Sequence, residues 1–282
     1  MRSDVIPLIL SKDVSALSDA VVNALQLKDE DQHLQMISLP ILYEDEHLAV
    51  VNKPAGLLVH RSAIDRRETV YAMQLLRDQL RRWVYPLHRL DKATSGALVF
   101  ALDREAARRM MRSFIDGQIA KSYLAVVRGF TAESACIDHP LRSPWDRRVC
   151  SGEDRERPAQ GARTQYRRLA TVELPYPVGR YPTARYSLIE AAPLTGRMHQ
   201  IRRHLKHIFH PVIGDTTYGD GRQNEFIRQT FGCRRLLLHS RTIAFTHPFA
   251  RTQVRVHAPL DEDFNALLAA VNWDMVALPC PS

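Results

Sequence analysis

The sequence predicts an α+β fold with a mainly antiparallel mixed β-sheet core. Three observations carry that reading. Short β-branched and aromatic runs outnumber runs of helical period, the two kinds do not alternate one for one, and no internal repeat is present. The 282 residues suffice for one large domain or two small ones with a real core. A hydrophobic share of 45% against 25% charged residues excludes an intrinsically disordered chain.

The elements follow in chain order. Residues 1–38 read as a separate N-terminal extension, with Val14, Leu17, Val21, Val22 and Leu25 spaced for a short amphipathic helix and a polar linker at Lys28 to His33. The body is expected over 39–278. Ile41 to Val51 gives two strands around a Glu44-Asp45-Glu46 turn, and Lys53-Pro54-Ala55-Gly56 is a turn leading to a strand at Leu57-Leu58-Val59. Thr69 to Trp83 has one apolar helical face. Leu98 to Leu102 is a buried strand, and Arg104 to Gly117 a helix with its arginines outward. Lys121 to Arg128, Thr164 to Ala170 and Tyr186 to Ala191 read as strands, separated by proline- and glycine-marked loops at 142–162 and 175–183. Met198 to His207 is a helix capped by Thr195. Strands at Leu236 to Leu238, Thr242 to Thr246 and Gln253 to His257 precede a closing helix over Asp261 to Val271.

Charge narrows the function. Lys and Arg number 39 against 31 Asp and Glu, for a net charge of +8. Arginine dominates, and its planar fork matches phosphate oxygens and stacks on bases, so the surplus points to a polyanion such as nucleic acid. A solvated basic surface without a partner explains the same charge. The four cysteines form no Cys-x-x-Cys pair, so neither a zinc site nor a disulfide framework is expected and a reducing compartment fits. The apolar run Val5 to Leu10 is too short for a signal-peptide core, and no stretch has the length of a membrane span. His204, His207 and His210 step by three and drift around a helix, which is poor metal-ligand spacing.

Two blocks carry the chemistry. In His88-Arg89-Leu90-Asp91-Lys92-Ala93-Thr94-Ser95-Gly96 one carboxylate stands among cations, a titratable ring, hydroxyls and a turn-forming glycine. A lone ionised Asp91 can act as a nucleophile or as an electrostatic partner of a ribose carbon. The second block is Thr195-Gly196-Arg197-Met198-His199-Gln200-Ile201-Arg202-Arg203-His204-Leu205. Arg197 falls in the first helical turn, where the helix dipole disfavours a cation, so it needs an anionic partner. Asp91 is the expected one, and a phosphate the alternative. Asp215 and Asp220, in the turn-rich stretch after Ile213, are the other acids that can enter the site. Tyr123, in Lys121-Ser122-Tyr123, can stack on a base or accept a proton, or simply pack.

These motifs resemble those of the RluA-type pseudouridine synthases. His88-Arg89-Leu90-Asp91 with Thr94-Ser95-Gly96 is similar to the catalytic motif of that family. Lys53-Pro54-Ala55-Gly56, Lys121-Ser122-Tyr123, Thr195 to Arg202, Gly214-Asp215-x-x-Tyr218-Gly219 and Leu236 to Ser240 match its others in order, over about residues 40–260. Val59 to Ser62, Gly179 to Thr183, Ile201 to Leu205 and His210 to Asn224 are most similar to members acting on tRNA. The extension 1–38 does not resemble the S4 RNA-binding domain of other members. The resemblance implies a sheet of the pseudouridine synthase type, two subdomains flanking a central RNA-binding cleft. It implies cofactor-free, metal-free isomerisation of uridine, with tRNA uridine 65 as the target, in a cytoplasmic monomer without membrane attachment. Asp91, Tyr123 and Arg197 would be catalytic, with Arg197 paired to Asp91 and Arg89 holding the vacated RNA stack. His88, Lys92, Thr94, Lys121, His199, Arg202 and Arg203 would join Arg89 in binding RNA, and loops 142–162 and 175–183 would help select the site. The competing readings are action on another tRNA or rRNA uridine, a non-catalytic RNA-binding or chaperone protein, and a metal-dependent hydrolase using the histidines.

Overall fold

A computed structural model describes residues 38–61, 68–142 and 158–273. The amphipathic helix expected within 1–37 and most of the loop 142–162 lie outside the described residues.

The described residues form ten strands and five helices, and the strands make one sheet. Its order is β1 (Ile41–Glu44), β2 (Leu48–Lys53), β4 (Ser95–Ala101), β9 (Leu238–Thr246), β5 (Ala120–Arg128), β8 (Ala184–Pro193), β7 (Arg163–Leu174) and β6 (Ser134–Asp138). β10 (Gln253–His257) adds to β9, and the two-residue β3 (Tyr85–Pro86) to β4. Neighbours run antiparallel except β4 and β9, whose short parallel contact pairs Ser95 with His239 and Gly96 with Ser240. The expected mixed, mainly antiparallel sheet is therefore present. The residues immediately before β4 carry the Asp91 block, and this one parallel contact fixes where they end.

β4 is buried along its whole length, flanked by β2 and β9, which suits its unbroken apolar run Ala97 to Ala101. Gly96 has φ +110, and a Cβ there would sit inside the Ser240 carbonyl, so only glycine lets β4 and β9 approach this closely. One core cluster (Val51, Leu98, Tyr123, Ala125, Ile189, Leu205 and others) lies beneath the Asp91 block. A second packs α5 (Glu262–Ala270), through Phe264, Leu267 and Leu268, on Leu124, Val126 and Leu188. A third packs α2 (Arg104–Ile115), through Ala106 and Met110, on Val50, Val99 and Phe245.

Several expected boundaries move. Leu57 to Val59 makes only an isolated bridge, Leu58 to Tyr71, rather than a strand. The first helix is trimmed to α1 (Ala72–Leu80), ending at Arg81 in the left-handed region. Leu236 to Leu238 and Thr242 to Thr246 merge: β9 starts at Leu238 and runs through, because both β5 and β10 continue the pairing. The helix over 198–207 starts later, as α3 (Gln200–His207), and Thr195 does not cap it. Thr195 instead gives its hydroxyl proton to Gln200 Oε1 at 2.7 Å and accepts from Arg163 N–H at 3.0 Å. Beyond the turn-rich stretch that ends at Asp220, where no element was expected, lies α4 (Gly221–Phe231), capped by Asp220 and ended by Gly232 at φ 70.

Candidate active site

A cleft of about 970 Å³ opens beside the start of β5. His88 to Asp91 and Thr94 line one side, Leu194 to Arg202 the other, with Phe114, Lys121 and Tyr123 between. Asp91 sits in the turn before β4. Thr94 N–H donates to the Asp91 carbonyl at 3.0 Å, so the turn is closed by its own backbone. Beneath it lies Lys53, fully buried at the end of β2. Its ammonium donates to the carbonyls of Pro54 (2.8 Å), Leu57 (2.8 Å) and Lys92 (3.2 Å), tying the Lys53-Pro54-Ala55-Gly56 turn to the Asp91 turn. Gly56 N–H adds a bond to the Lys92 carbonyl at 2.8 Å. Burial, helped by the nearby Arg235 charge and opposed by Asp91, lowers Lys53 to about 7.

The partner of Asp91 is Arg202. Its Nη1 donates to Asp91 Oδ2 at 2.9 Å. Its Nε and Nη2 meet Asp215 Oδ2 and Oδ1 at 2.7 and 2.8 Å, a two-pronged bridge. The guanidinium is thus shared by two carboxylates, one at the cleft and one wholly buried. Burial works against the charged guanidinium, but Asp215 and Asp91 outweigh it and hold Arg202 protonated above the usual arginine range. Asp215 moves the opposite way. Burial would raise its carboxyl, yet the Arg202 bonds and the N–H groups of Tyr218 and Thr217 hold it below the ordinary aspartate range.

The expected Arg197–Asp91 pair is corrected by this geometry. Arg197 precedes α3, is exposed, and its Nε donates to the Gly161 carbonyl at 3.2 Å. The reason is the shifted helix start. With Gln200 as the first helical residue, the turn that points into the sheet carries Gln200, Ile201 and Arg202. Gln200 braces the preceding loop by accepting from Arg197 N–H (3.0 Å) and Thr195, and donating to the Arg163 carbonyl and Thr164 Oγ1 (both 2.9 Å). His199 caps the helix at φ 53, a conformation rare for histidine. It brings its ring 3.7 Å from Asp91 Oδ1 and within 3.0 Å of the Tyr218 hydroxyl. Burial, partly offset by Asp91, lowers His199 below the ordinary imidazole range and favours the neutral ring.

Tyr123, on β5, is buried beside Asp91. Burial pushes its phenol up to about 12, the Asp91 charge adds to the rise, and Ser240 opposes it. The ring is therefore a neutral phenol at neutral pH. His88 is neutral too: burial lowers it to about 3, with the Lys121 charge adding to the effect. Its Nε2 accepts the Val99 N–H at 3.2 Å and its ring stacks on Phe114 at 5.3 Å. His88 lines the cleft as an uncharged ring that holds β4 and offers no cation there. Lys92 pairs with Glu68 at 2.7 Å. Arg89 is exposed at the cleft, where Thr94 and Lys121 also lie. Arg203 is outside the cleft lining, close enough to Tyr218 for its charge to act on the phenol.

Sequence reasoning missed a buried support behind the Asp91 turn. Ser95 Oγ lies 2.7 Å from both His239 Nδ1 and an Arg235 nitrogen. His239 Nε2 is 3.2 Å from the Ala258 carbonyl. Nε2–H must donate there, so Nδ1 accepts the Ser95 proton while Ser95 accepts from Arg235. Burial lowers His239 to about 4, consistent with that neutral tautomer. Leu238-His239-Ser240 belonged to a recognised motif and Arg235 directly precedes it, but adjacency across a parallel pair is invisible in a one-dimensional pattern. Elsewhere His204 bonds Thr164 Oγ1 (2.9 Å) and the His139 carbonyl (3.0 Å), and His139 stacks on His207. Among the described residues no three His, Cys, Asp or Glu side chains are grouped to hold a metal ion.

Comparison with known proteins meets this geometry at the same residues. The sequence model of the RNA pseudouridylate synthase family matches residues 47–207, from the start of β2 to the end of α3. The chain belongs to this family. Its members isomerise uridine to pseudouridine in RNA, and the chain is an isomerase of that class. Curated relatives include the tRNA pseudouridine synthase C of Haemophilus ducreyi, 48% identical over 84% of this chain and 97% of its own length. That of Vibrio cholerae is 46% identical over 83% and 96%. Among solved structures, human RNA Pseudouridylate Synthase Domain Containing 4 superposes with a TM-score of 0.62 at 26% identity, covering 83% of this chain and 93% of its own. In this pseudouridylate synthase the Asp91 turn lines the cleft, and the arginine that meets its carboxylate comes from α3.

Proposed function

We propose that this protein converts uridine 65 of tRNA to pseudouridine, with Asp91 as the group that acts on the ribose. The observation that carries the reading is a single cleft carboxylate held by a buried guanidinium and facing a buried tyrosine. Isomerisation breaks the N1–C1′ bond and forms a C5–C1′ bond, and the C5 proton leaves while N1 gains one. No atom is added or lost, so one carboxylate suffices where a hydrolase needs a second group to activate water. Asp91 either attacks C1′ or assists loss of uracil through a glycal intermediate. Arg202, rather than Arg197, pairs with Asp91 and orients it.

The target base must leave its stack, at a cost of a few kcal/mol. Arg89 is placed to fill the gap, and Arg197, Lys121, Thr94 and His199 line the pocket that receives the base. Tyr123 stacks on the base. A phenol at about 12 accepts the C5 proton only while passing its own proton on, and Ser240 is the neighbour that can take part. Residues 39–278 form the catalytic domain in this reading, supported by the compact unit beginning at Leu39, and 1–38 an extension to it. The enzyme acts as a cytoplasmic monomer. Among the described residues no helix is long and apolar enough to cross a membrane.

Pseudouridine mapping of total RNA from cells with and without the gene tests the assignment. The expected result is loss of one signal at tRNA position 65, restored by the wild-type gene and not by Asp91→Asn. Loss at another tRNA or an rRNA uridine moves the target. No lost signal, with RNA binding intact, favours the non-catalytic reading.

A further inference from the structure

Away from the cleft, the far ends of β5 and α3 meet in a patch of exposed aromatic rings and arginines. Phe209 is 85% exposed, the most of any large apolar side chain among the described residues, and its backbone is held at φ 64. The positive φ belongs to the turn that ends α3, where His210 N–H bonds the Leu205 carbonyl at 2.9 Å, but the outward-facing ring itself buries little surface. Its neighbour His210 binds the Arg128 carbonyl at 2.8 Å, which brings Phe209 to the end of β5. Phe130 (42% exposed) follows there, with the Arg185 guanidinium 5.4 Å from its ring centre. Tyr181, also 42% exposed, sits in the loop 175–183 with Arg128 and Arg180 at 5.7 and 5.1 Å from its ring. Arg222 packs beside Gly179 in the same loop. The acids here are Asp220, paired with Arg128, and Glu173, paired with Arg185. Four arginines against two acids leave the patch positive.

Aromatic faces interleaved with guanidinium groups are the surface that stacks bases and meets phosphates without reading sequence. We propose that Phe130, Tyr181 and Phe209, with Arg180 and Arg185, form a second RNA-contact surface that grips a part of the substrate remote from the flipped uridine. Arg128 is five residues beyond Tyr123 on β5, about 17 Å at about 3.4 Å per residue. That equals roughly five stacked nucleotides of one strand. The surface therefore measures the distance between the target uridine and a second element of the folded RNA, and it contributes to choosing the uridine. This rests on the RNA-substrate reading above.

The test compares a full-length tRNA transcript with a short stem-loop carrying the same uridine. Phe209→Ser with Tyr181→Ser, and separately Arg180→Glu with Arg185→Glu, change exposed side chains, and melting temperatures verify the fold. The expected result on tRNA is a KM increase of about tenfold or more for each pair, with kcat within about twofold. KM on the stem-loop stays at the wild-type value, and the arginine pair flattens the salt dependence of tRNA binding. Wild-type KM on tRNA for both pairs overturns the proposal, and so does equal loss on tRNA and stem-loop. A patch that serves a protein partner gives the first of these results. If the wild-type enzyme makes no pseudouridine in any tRNA, the functional reading fails instead. The patch is then judged by tRNA binding alone, where unchanged Kd in both pairs overturns it.

Discussion

Arg202 is the residue on which the site turns, because it answers to two carboxylates at once. Lysine has the charge but not the fork, and cannot bridge Asp91 and the buried Asp215 together. Arg202→Lys is expected to lower kcat by roughly 10²-fold or more, while Arg197→Ala leaves kcat within about tenfold and acts on KM, which single-turnover kinetics on tRNA separates. The reverse ranking would reinstate Arg197 as the partner. Arg202→Met goes further. It strands Asp215, whose side chain has no exposed surface, at a cost of about 3–5 kcal/mol in urea unfolding. Asp91 and His199 were legible as cleft residues because each belongs to a dense polar block, and Tyr123 because it follows Lys121 and Ser122 on a strand. The choice between Arg197 and Arg202 was not, since it depends on which residue starts α3.

Among the elements, the β4–β9 contact and the start of α3 set the geometry. Gly96→Ala pushes a methyl group into the Ser240 carbonyl at φ +110, and either β9 moves or the Asp91 turn does. A loss of roughly 2–4 kcal/mol is expected, read as a lower melting temperature, with kcat falling further than the folded fraction explains. The elements missed from sequence share a cause. β6 is mostly exposed, and its residues carry little apolar alternation. β3 has two residues and exists only by pairing with β4. α4 opens on Gly221 after Tyr218-Gly219-Asp220, a stretch whose composition reads as turn; the usable signal was the Asp220 cap with Gly232 eleven residues past the helix start. The long elements β5, α2 and α5 were legible because their apolar periods span the whole element.

For the molecule as a whole, the buried ammonium of Lys53 links stability to pH. Its folded value, about 7, lies below its ordinary 10.5. Between those values the unfolded chain binds the proton that the folded chain has released, so stability rises with pH across that window. Denaturation midpoints measured from pH 7 to 10 should climb in the wild type. Lys53→Met should remove that climb, and lower the midpoint throughout because the Leu57 and Lys92 carbonyls lose their donor. An identical pH profile in both proteins would contradict the assignment. The basic surplus has a divided use at this scale. Arg108 and Arg109 bind Glu105, Arg77 binds Asp78, and Arg235 is buried behind the Asp91 turn in contact with Asp261, so net charge alone overstates the surface available to RNA. By itself the sequence determined the fold class, the family and the polar block around Asp91, since these rest on periodicity and contiguous motifs, which survive in one dimension. The tertiary structure alone decided that Arg202 bridges two acids, that Lys53 and Ser95 support the Asp91 turn, and that Phe209 stands exposed next to His210, which holds the end of β5. Those facts join residues tens to more than a hundred positions apart, and only the packing of β4, β9, β5 and α3 brings them within bonding distance.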